Sequence, residues 1–364
     1  MPSDDPYKAT LPGQTPTGGA RGVGDLLAKG WVDPTQASLL AEVEAQLKVA
    51  ITPTMLEAMA SPDDPIGRQF LPSAKELNVG QGEDPDPIGD VRHSPIAGVV
   101  HRYPDRALLM PVHVCSVYCR FCFRREAVGG QEAALSSAKL EAALAYLEGQ
   151  PSIWEVILTG GDPMVLSPRR LGDIITTLDA MPHVGVIRIH TRVPLVSPER
   201  VNDRMLAALK TNTAVFVAIH TNHANEFTPE GKAALRRLSD SGIPLLSQTV
   251  LLRGVNDTSE QLEALMRALV ENRVRPYYLH HLDMAQGVGH FHVPIARGRA
   301  LLRGMRGKLS GLCQPTYMLD LPGGHGKVPI GPSFIKADEA RRGYQVAAPD
   351  GQVHFYDDRG EKPF

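Results

Sequence analysis

The sequence between residues 107 and 282 alternates short apolar runs with amphipathic stretches of helical period. Repeated strand–helix units with no hairpin signal between them predict parallel strands joined by helical crossovers. We expect closure into a partial or full (β/α) barrel, with a doubly wound sheet as the alternative. The predicted strands are Ala107–Val114, Glu155–Thr159, Gly185–His190, Ala214–His220, Pro244–Leu252 and Arg275–Leu282. The predicted helices are Leu135–Leu147, Arg170–Met181, Pro198–Lys210, Pro229–Ser241 and Ser259–Asn272.

Four regions are predicted along the chain. Residues 1–23, rich in Pro, Gly and Thr, are expected to form a disordered tail. Residues 24–90 form an N-terminal helical region, in which Thr52 is placed to cap a helix beginning at Pro53. Residues 91–285 contain the barrel and residues 286–364 a C-terminal region. With 364 residues, 43% of them hydrophobic, the chain can bury a large core.

The charge pattern limits the classes of partner. The formal net charge is −2 and the sequence contains no basic block, which argues against nucleic acid as the main partner. No run of 18 apolar residues occurs, and the first residues lack the pattern of a signal peptide. We therefore expect a cytoplasmic protein with neither a nucleic-acid nor a membrane partner.

Three of the four cysteines, Cys115, Cys119 and Cys122, lie within eight positions in the pattern C-x3-C-x2-C. Thiolates this close in sequence can bind one soft metal centre. Zinc normally takes a fourth protein ligand, whereas an iron–sulfur cube held by three cysteines keeps one iron open to a small molecule. Both interpretations fit the spacing, and the open iron favours catalysis in a reducing compartment.

Polar residues recur where predicted strands end. The run G-G-D-P at Gly160–Pro163 follows the second strand, and such a run is also an ordinary turn signal. The later strand ends carry His190, His220, Gln248 and Asp283. Because the carboxyl ends of barrel strands meet at one rim, these side chains predict a pocket beside the cysteines.

A glycine-rich turn ending in a lysine lies near the C-terminus, in the run Y-M-L-D-L-P-G-G-H-G-K-V-P from Tyr317 to Pro329. It could be an ordinary loop or a phosphate-binding loop. A Walker loop is excluded because Val328 stands where that motif needs Ser or Thr. Upstream of the cysteines, the run H-R-Y-P-D-R supplies arginines that can bind phosphate or carboxylate through two parallel hydrogen bonds.

Two of these runs, C-R-F-C-F-R-R around the cysteines and D-x-P-G-G-x-G-K-x-P at Asp320–Pro329, resemble the lysine 2,3-aminomutase family of the radical S-adenosylmethionine (SAM) superfamily. The resemblance extends over residues 50–332. It implies a partial (β/α)6 TIM-type barrel with an N-terminal helical extension. The implied cofactors are a [4Fe-4S] cluster on Cys115, Cys119 and Cys122, SAM at its open iron, and pyridoxal 5′-phosphate (PLP) bound to Lys327 as a Schiff base.

The resemblance also implies roles for individual residues. Those expected to contact the PLP phosphate are Arg102, Tyr103 and Arg106. Those expected to line the SAM site are Gly160, Gly161, Asp162, His220 and Gln248. Those expected to bind lysine are Arg124 at the α-carboxylate and Asp283 and Asp320 at the ε-ammonium. The implied activity is interconversion of L-lysine and L-β-lysine, with an electron donor such as flavodoxin or ferredoxin; a homo-oligomer is left open.

Several positions depart from the family pattern. Thr258 and the absence of any cysteine after Cys313 remove the zinc site of the clostridial enzymes, and Cys313 is expected to be a small buried residue. His280 and His325 change the surroundings of the cofactor. Two alternatives are retained: the branch that makes (R)-β-lysine for modification of elongation factor P, and a protein that binds a metal cluster without catalysis.

Overall fold

The computed structural model describes residues 18–130 and 132–358. Its body is a curled nine-stranded sheet. The strands are β1 (Val99–Tyr103), β2 (Arg106–Val112), β3 (Glu155–Gly160), β4 (Val186–Thr191), β5 (Ala214–His220), β6 (Leu245–Val250), β7 (Val274–His280), β8 (Thr316–Asp320) and β9 (Lys327–Pro329). They lie side by side in chain order. Neighbours from β2 to β8 are parallel, whereas β1 and β9 are antiparallel edge strands. The predicted α/β partial barrel is confirmed.

Helices cover the outer face of the sheet, and their starts follow from local capping. The Ser136, Ser167, Thr228 and Thr258 hydroxyls each accept a hydrogen bond from the first turn of the following helix. The helices are α1 (Val23–Ala28), α2 (Ala37–Gln46), α3 (Pro53–Ala58), α4 (Gly67–Phe70), α5 (Ser137–Glu148), α6 (Pro168–Asp179), α7 (Val193–Val196), α8 (Asp203–Ala208), α9 (Pro229–Asp240), α10 (Ser259–Glu271) and α11 (Ile295–Met305). Among the described residues, no helix has the length and apolar character needed to cross a membrane.

The sheet contains elements that the sequence pattern did not predict. Strand β1 forms a hairpin with β2, with Tyr103 paired to Arg106 around Pro104 and Asp105. Strand β8 pairs in parallel with β7 after the long connection that contains α11, so the parallel run reaches into the predicted C-terminal region. A separate three-stranded antiparallel sheet follows, made of β10 (Ile335–Asp338), β11 (Gly343–Ala347) and β12 (Val353–Tyr356).

The N-terminal region packs against the loop that carries the cysteines. Residues 1–17 of the predicted tail lie outside the described residues, and Ala20 is buried and pairs with Ile51. The Thr52 hydroxyl caps α3, as predicted. Buried apolar side chains of this region, such as Phe70, share one cluster with Val117 of the cysteine loop. The N-terminal helices therefore support the carboxyl end of the barrel.

Candidate active site

One cavity of about 480 Å³ lies within the curled sheet and is lined by strand residues and by the loops that follow the strands. It is lined by every residue for which the sequence predicted a role. These residues are Arg102, Tyr103, Arg106, Cys115, Cys119, Cys122, Arg124, Gly160, Gly161, Asp162, His220, Gln248, Asp283, Asp320 and Lys327. The structure thus brings distant parts of the chain into one site, while the individual roles stay predictions.

The cysteine loop follows β2 and places three free thiols on the cavity wall. Burial raises the pKa of each thiol, well above its usual value for Cys115 and to about 11 for Cys122. The Cys119 Sγ accepts a hydrogen bond from Arg192 Nη1 at 2.8 Å. Within the described chain, no three His, Cys, Asp or Glu side chains converge on a point where one metal ion could sit. A metal centre on these thiols must displace their protons as it binds.

A buried ion-pair network fixes the cysteine loop, and sequence reasoning missed it. Glu76 accepts hydrogen bonds from Arg120 Nη2 at 2.7 Å and from Arg125 Nη2 at 2.9 Å. Arg120 also donates to the Leu47 and Lys48 carbonyl oxygens. These contacts join the N-terminal region to the residues between and after the cysteines. Glu76 also completes a local capping box with Ser73, but no local signal predicts its arginine partners, which lie more than 40 positions away.

The glycine pair after β3 meets the cysteine loop so closely that side chains are excluded. A Cβ on Gly161 would lie 2.3 Å from the Val114 carbonyl oxygen, and Gly160 adopts a φ of 99°. The Asp162 carboxylate is buried and accepts hydrogen bonds from Thr191 Oγ1 and the Arg192 amide, both at 2.7 Å. Asp162 therefore fastens this turn to the end of β4.

The inner wall of the cavity carries neutral histidines. Burial lowers the pKa of His220 to about 3, and it lowers that of His190 well below the usual value. The two rings lie 5.5 Å apart, and the His190 Nε2 is 3.3 Å from the Gln248 side-chain nitrogen. This wall can offer hydrogen bonds to a ligand without adding positive charge.

Lys327 begins β9 directly after the glycine-rich turn, in which Gly323, Gly324 and Gly326 have positive φ. The Lys327 amide donates to the Tyr103 hydroxyl at 2.8 Å, and its Nζ contacts the Asp320 carboxylate. Arg106 stacks over the Tyr103 ring at 3.8 Å. Lys327, the predicted PLP lysine, therefore lies next to Tyr103 and Arg106, which are predicted to contact the PLP phosphate.

Two carboxylates, the buried Asp320 and the half-buried Asp283, share the cavity with Lys327. Loss of hydration and, after it, the negative charge of Asp320 raise the pKa of Asp283 to about 7, although Lys327 and Arg124 lower it. The Asp320 side chain is 1% exposed and lies 3.6 Å from Arg102 and 3.8 Å from His280. This end of the cavity is acidic and suited to a cation.

A sequence model of the Radical SAM superfamily matches residues 109–269. An L-lysine 2,3-aminomutase of Acetoanaerobium sticklandii is 41% identical over 79% of this chain and 70% of its own length. One of Clostridium subterminale is 39% identical over 81% and 72%. The chain belongs to the lysine 2,3-aminomutase family.

Another relative is named for a different amino acid. A glutamate 2,3-aminomutase of Clostridioides difficile is 34% identical over 81% of this chain and 70% of its own. A solved radical SAM methyltransferase of Sphaerobacter thermophilus aligns with 61% of this chain and 68% of its own, at 19% identity and a TM-score of 0.42. Because relatives act on different amino acids by name, family membership alone does not identify the substrate, which must be inferred from the residues of the site.

The site fits the cofactors of the lysine 2,3-aminomutase family: a [4Fe-4S] cluster, SAM and PLP. An all-thiol donor set suits an iron–sulfur cluster. Buried polar atoms that have no hydrogen-bond partner among the described residues also line the cavity, as expected where polar ligands bind. They are Arg102 Nε, Arg188 Nε, Arg192 Nε, His220 Nε2, His280 Nε2 and Asp320 Oδ1.

Sequence reasoning missed two further cavity residues, Asp90 and Arg188, and Asp90 contacts two of the predicted ones. Asp90 pairs with Arg102 at 3.2 Å and with Arg124 at 2.8 Å. Arg188 pairs with Glu155 at 3.1 Å near the amino end of the barrel. Cys313 lies in the barrel core away from this cavity, as expected of a small buried residue.

Proposed function

We propose that this chain interconverts L-lysine and L-β-lysine. The observation that carries the proposal is the pairing of an acidic end, made by Asp283 and Asp320, with a cationic residue, Arg124, in the same cavity as Lys327. Lysine has a carboxylate at one end and an ammonium at the other. A glutamate side chain would bring a third carboxylate to the acidic end and would be repelled.

When bound, the cluster and SAM would supply the radical chemistry that abstracts a hydrogen atom from the substrate. PLP would supply a conjugated system for the migrating nitrogen. In our proposal Cys115, Cys119 and Cys122 hold the cluster, and Lys327 anchors PLP. The residues proposed to contact the PLP phosphate are Arg102, Tyr103 and Arg106. The residues proposed to line the SAM site are Gly160, Gly161, Asp162, His220 and Gln248.

The acidic pair is also proposed to release a proton when the substrate binds. With its pKa at about 7, Asp283 carries a proton in part of the molecules at neutral pH. An ammonium between Asp283 and Asp320 favours both ionised carboxylates, so the proton leaves as lysine binds. The neutral His190 and His220 on the inner wall add no charge that would compete with the ammonium.

Arg124 is proposed to hold the opposite end of the substrate. A guanidinium presents two parallel N–H groups to a carboxylate, which fixes direction as well as distance. With the carboxylate at Arg124 and the ammonium at the acidic pair, the carbon chain of lysine is oriented inside the cavity. Fixing both ends places the reacting carbons reproducibly, as hydrogen abstraction requires.

The remaining partners are proposals of the same kind. Reduction of the cluster calls for an electron donor such as flavodoxin or ferredoxin, in a reducing compartment such as the cytoplasm. A homo-oligomer is also proposed, and light scattering on the purified protein measures it.

The proposal is tested with the anaerobically reconstituted, reduced protein, supplied with L-lysine, SAM and PLP. We expect β-lysine to form and to be detected by mass, with none formed when any one cofactor is omitted. Formation of deoxyadenosine with another amino acid, and not with lysine, would overturn the substrate assignment. About four irons per chain with no PLP absorbance would instead support the non-catalytic alternative.

A further inference from the structure

Asp90 lies between two arginines that face the cavity. Its Oδ2 accepts a hydrogen bond from Arg124 Nε at 2.9 Å and forms an ion pair with Arg124 Nη2 at 2.8 Å. Its Oδ1 lies 3.2 Å from Arg102 Nη2. The side chains of Asp90 and Arg124 are each 14% exposed, and that of Arg102 is 10% exposed. Pairs this well sheltered from water are screened far less than surface pairs.

The segment that carries Asp90, residues 86–93, is fixed on both sides. Asp86 Oδ1 accepts a hydrogen bond from the Asp90 amide at 2.8 Å. Arg92 and His93 contact the carbonyl oxygens of Gly323 and Gly324, at 2.5 and 3.0 Å, in the turn before Lys327. Asp90 is therefore held rigidly between the cofactor lysine turn and the cysteine loop.

The contact uses only one side of the Arg124 guanidinium. Asp90 takes the side formed by Nε and Nη2, whereas Nη1 has no hydrogen-bond or ion-pair partner in residues 18–130 and 132–358. Arg124 lines the cavity, and its charge acts on Asp283 at the acidic end. A guanidinium held by one side can still bind a carboxylate through the other.

We propose that Asp90 is a positioning residue for substrate binding: it aims the open side of Arg124 at the α-carboxylate of the amino acid. Through its second oxygen it ties that arginine to Arg102, which lies 3.6 Å from Asp320 on the cofactor side. The inference rests on the proposed function, since it takes Arg124 as the carboxylate ligand. Asp90 holds Arg124 in place without competing with the substrate carboxylate, because it leaves the other side of the guanidinium open.

The test compares two ligands that differ in the carboxylate. L-lysine or 1,5-diaminopentane is titrated into PLP-loaded, cluster-containing protein without reductant, and binding is followed by the visible absorbance of PLP. In Asp90→Asn the affinity for lysine should fall about 10- to 100-fold, the effect of losing a charge-assisted hydrogen bond. The affinity for 1,5-diaminopentane should change less than about twofold, because it has no carboxylate for Arg124 to bind.

Three comparisons complete the design. Asp90→Glu keeps the charge and should recover part of the lysine affinity. Asp203→Asn is the matched control, since Asp203 forms an exposed pair with Arg237 at 2.7 Å, and it should bind both ligands like the unmodified protein. In turnover, Asp90→Asn should raise KM for lysine more than it lowers kcat.

The outcomes separate the inference from the proposed function. Equal weakening of both ligands, unchanged lysine affinity or tighter lysine binding in Asp90→Asn would each overturn the positioning role, while β-lysine formation by the unmodified enzyme keeps the proposed function. Failure of the unmodified enzyme to bind lysine or to form β-lysine would overturn both.

Discussion

Replacing Glu76 by Gln should release the cysteine loop from the N-terminal region. The Glu76 side chain is fully buried, and it is the shared counter-charge of Arg120 and Arg125, which are 1% and 3% exposed. Glutamine keeps the size of the side chain but removes its charge. The variant therefore leaves two buried guanidinium groups without a partner anion.

The expected cost follows from this burial. Breaking a buried ion pair by removing one partner destabilises a protein by about 3–5 kcal/mol, because the other charge stays buried and uncompensated. The exposed pair of Glu132 and Lys139, at 2.7 Å, provides a matched control. Glu132→Gln should cost about 0–1 kcal/mol, since solvent screens that pair. The two variants should thus differ by about 3 kcal/mol in the free energy of unfolding.

The assay is urea unfolding of both variants and of the unmodified protein, together with the iron content after anaerobic reconstitution. Glu76→Gln should shift the unfolding midpoint to lower urea and reduce iron per chain, because its arginines flank Cys119 and Cys122 in the sequence. Equal midpoints for Glu76→Gln and Glu132→Gln would refute the reasoning.

Three further predictions concern the cavity. Lys327→Ala should abolish the visible imine absorbance of added PLP while leaving iron content unchanged, and a retained band would exclude Lys327 as the anchor. Gly161→Ala should reduce iron loading, because its Cβ would meet the Val114 carbonyl oxygen at 2.3 Å; normal iron per chain would argue against this. Lysine affinity should rise as pH increases through about 7, since Asp283 must ionise; a KM–pH profile of Asp283→Asn with the same rise would contradict that role.

The stability effect of Asp283 has the opposite sign to its effect on binding. Burial raises its pKa in the folded chain to about 7, above the value of about 3.9 for an unfolded aspartate. The folded empty enzyme therefore loses stability as pH rises from about 4 through about 7, where the Asp283 carboxylate ionises. Added lysine should offset this loss, and thermal unfolding across that pH range measures both effects.

The parallel strands were predictable because each is a short apolar run followed by an amphipathic helix with its own cap. Strand β8 was not predictable, because the 35 residues between His280 and Thr316 contain several turns and hide the strand–helix periodicity. The repeated strand–helix pattern does not predict the β1–β2 hairpin, although Pro104 and Asp105 are typical turn residues. Local patterns thus identify strands but not every pairing.

The site residues likewise divide into those that a local motif predicts and those that depend on distant contacts. The cysteines, Lys327 and the acidic pair stand in recognisable motifs, so the sequence could predict them. Glu76 stands in a capping box, which accounts for its local contacts only, and Asp90 stands in a polar segment without a motif; each acts through arginines at least 12 positions away. Such long-range ion pairs depend on how the N-terminal segments fold onto the barrel, which no local pattern encodes.

Competition between two amino acids tests most directly the claim that the acidic pair selects the substrate. Equal concentrations of L-lysine and L-glutamate are supplied to the reduced enzyme with SAM and PLP, and both β-amino acids are quantified by mass. We expect β-lysine as the product, with at most a trace of β-glutamate, and loss of that preference in Asp283→Asn. Predominant β-glutamate, or an unchanged preference in Asp283→Asn, would contradict the assignment of lysine as the substrate.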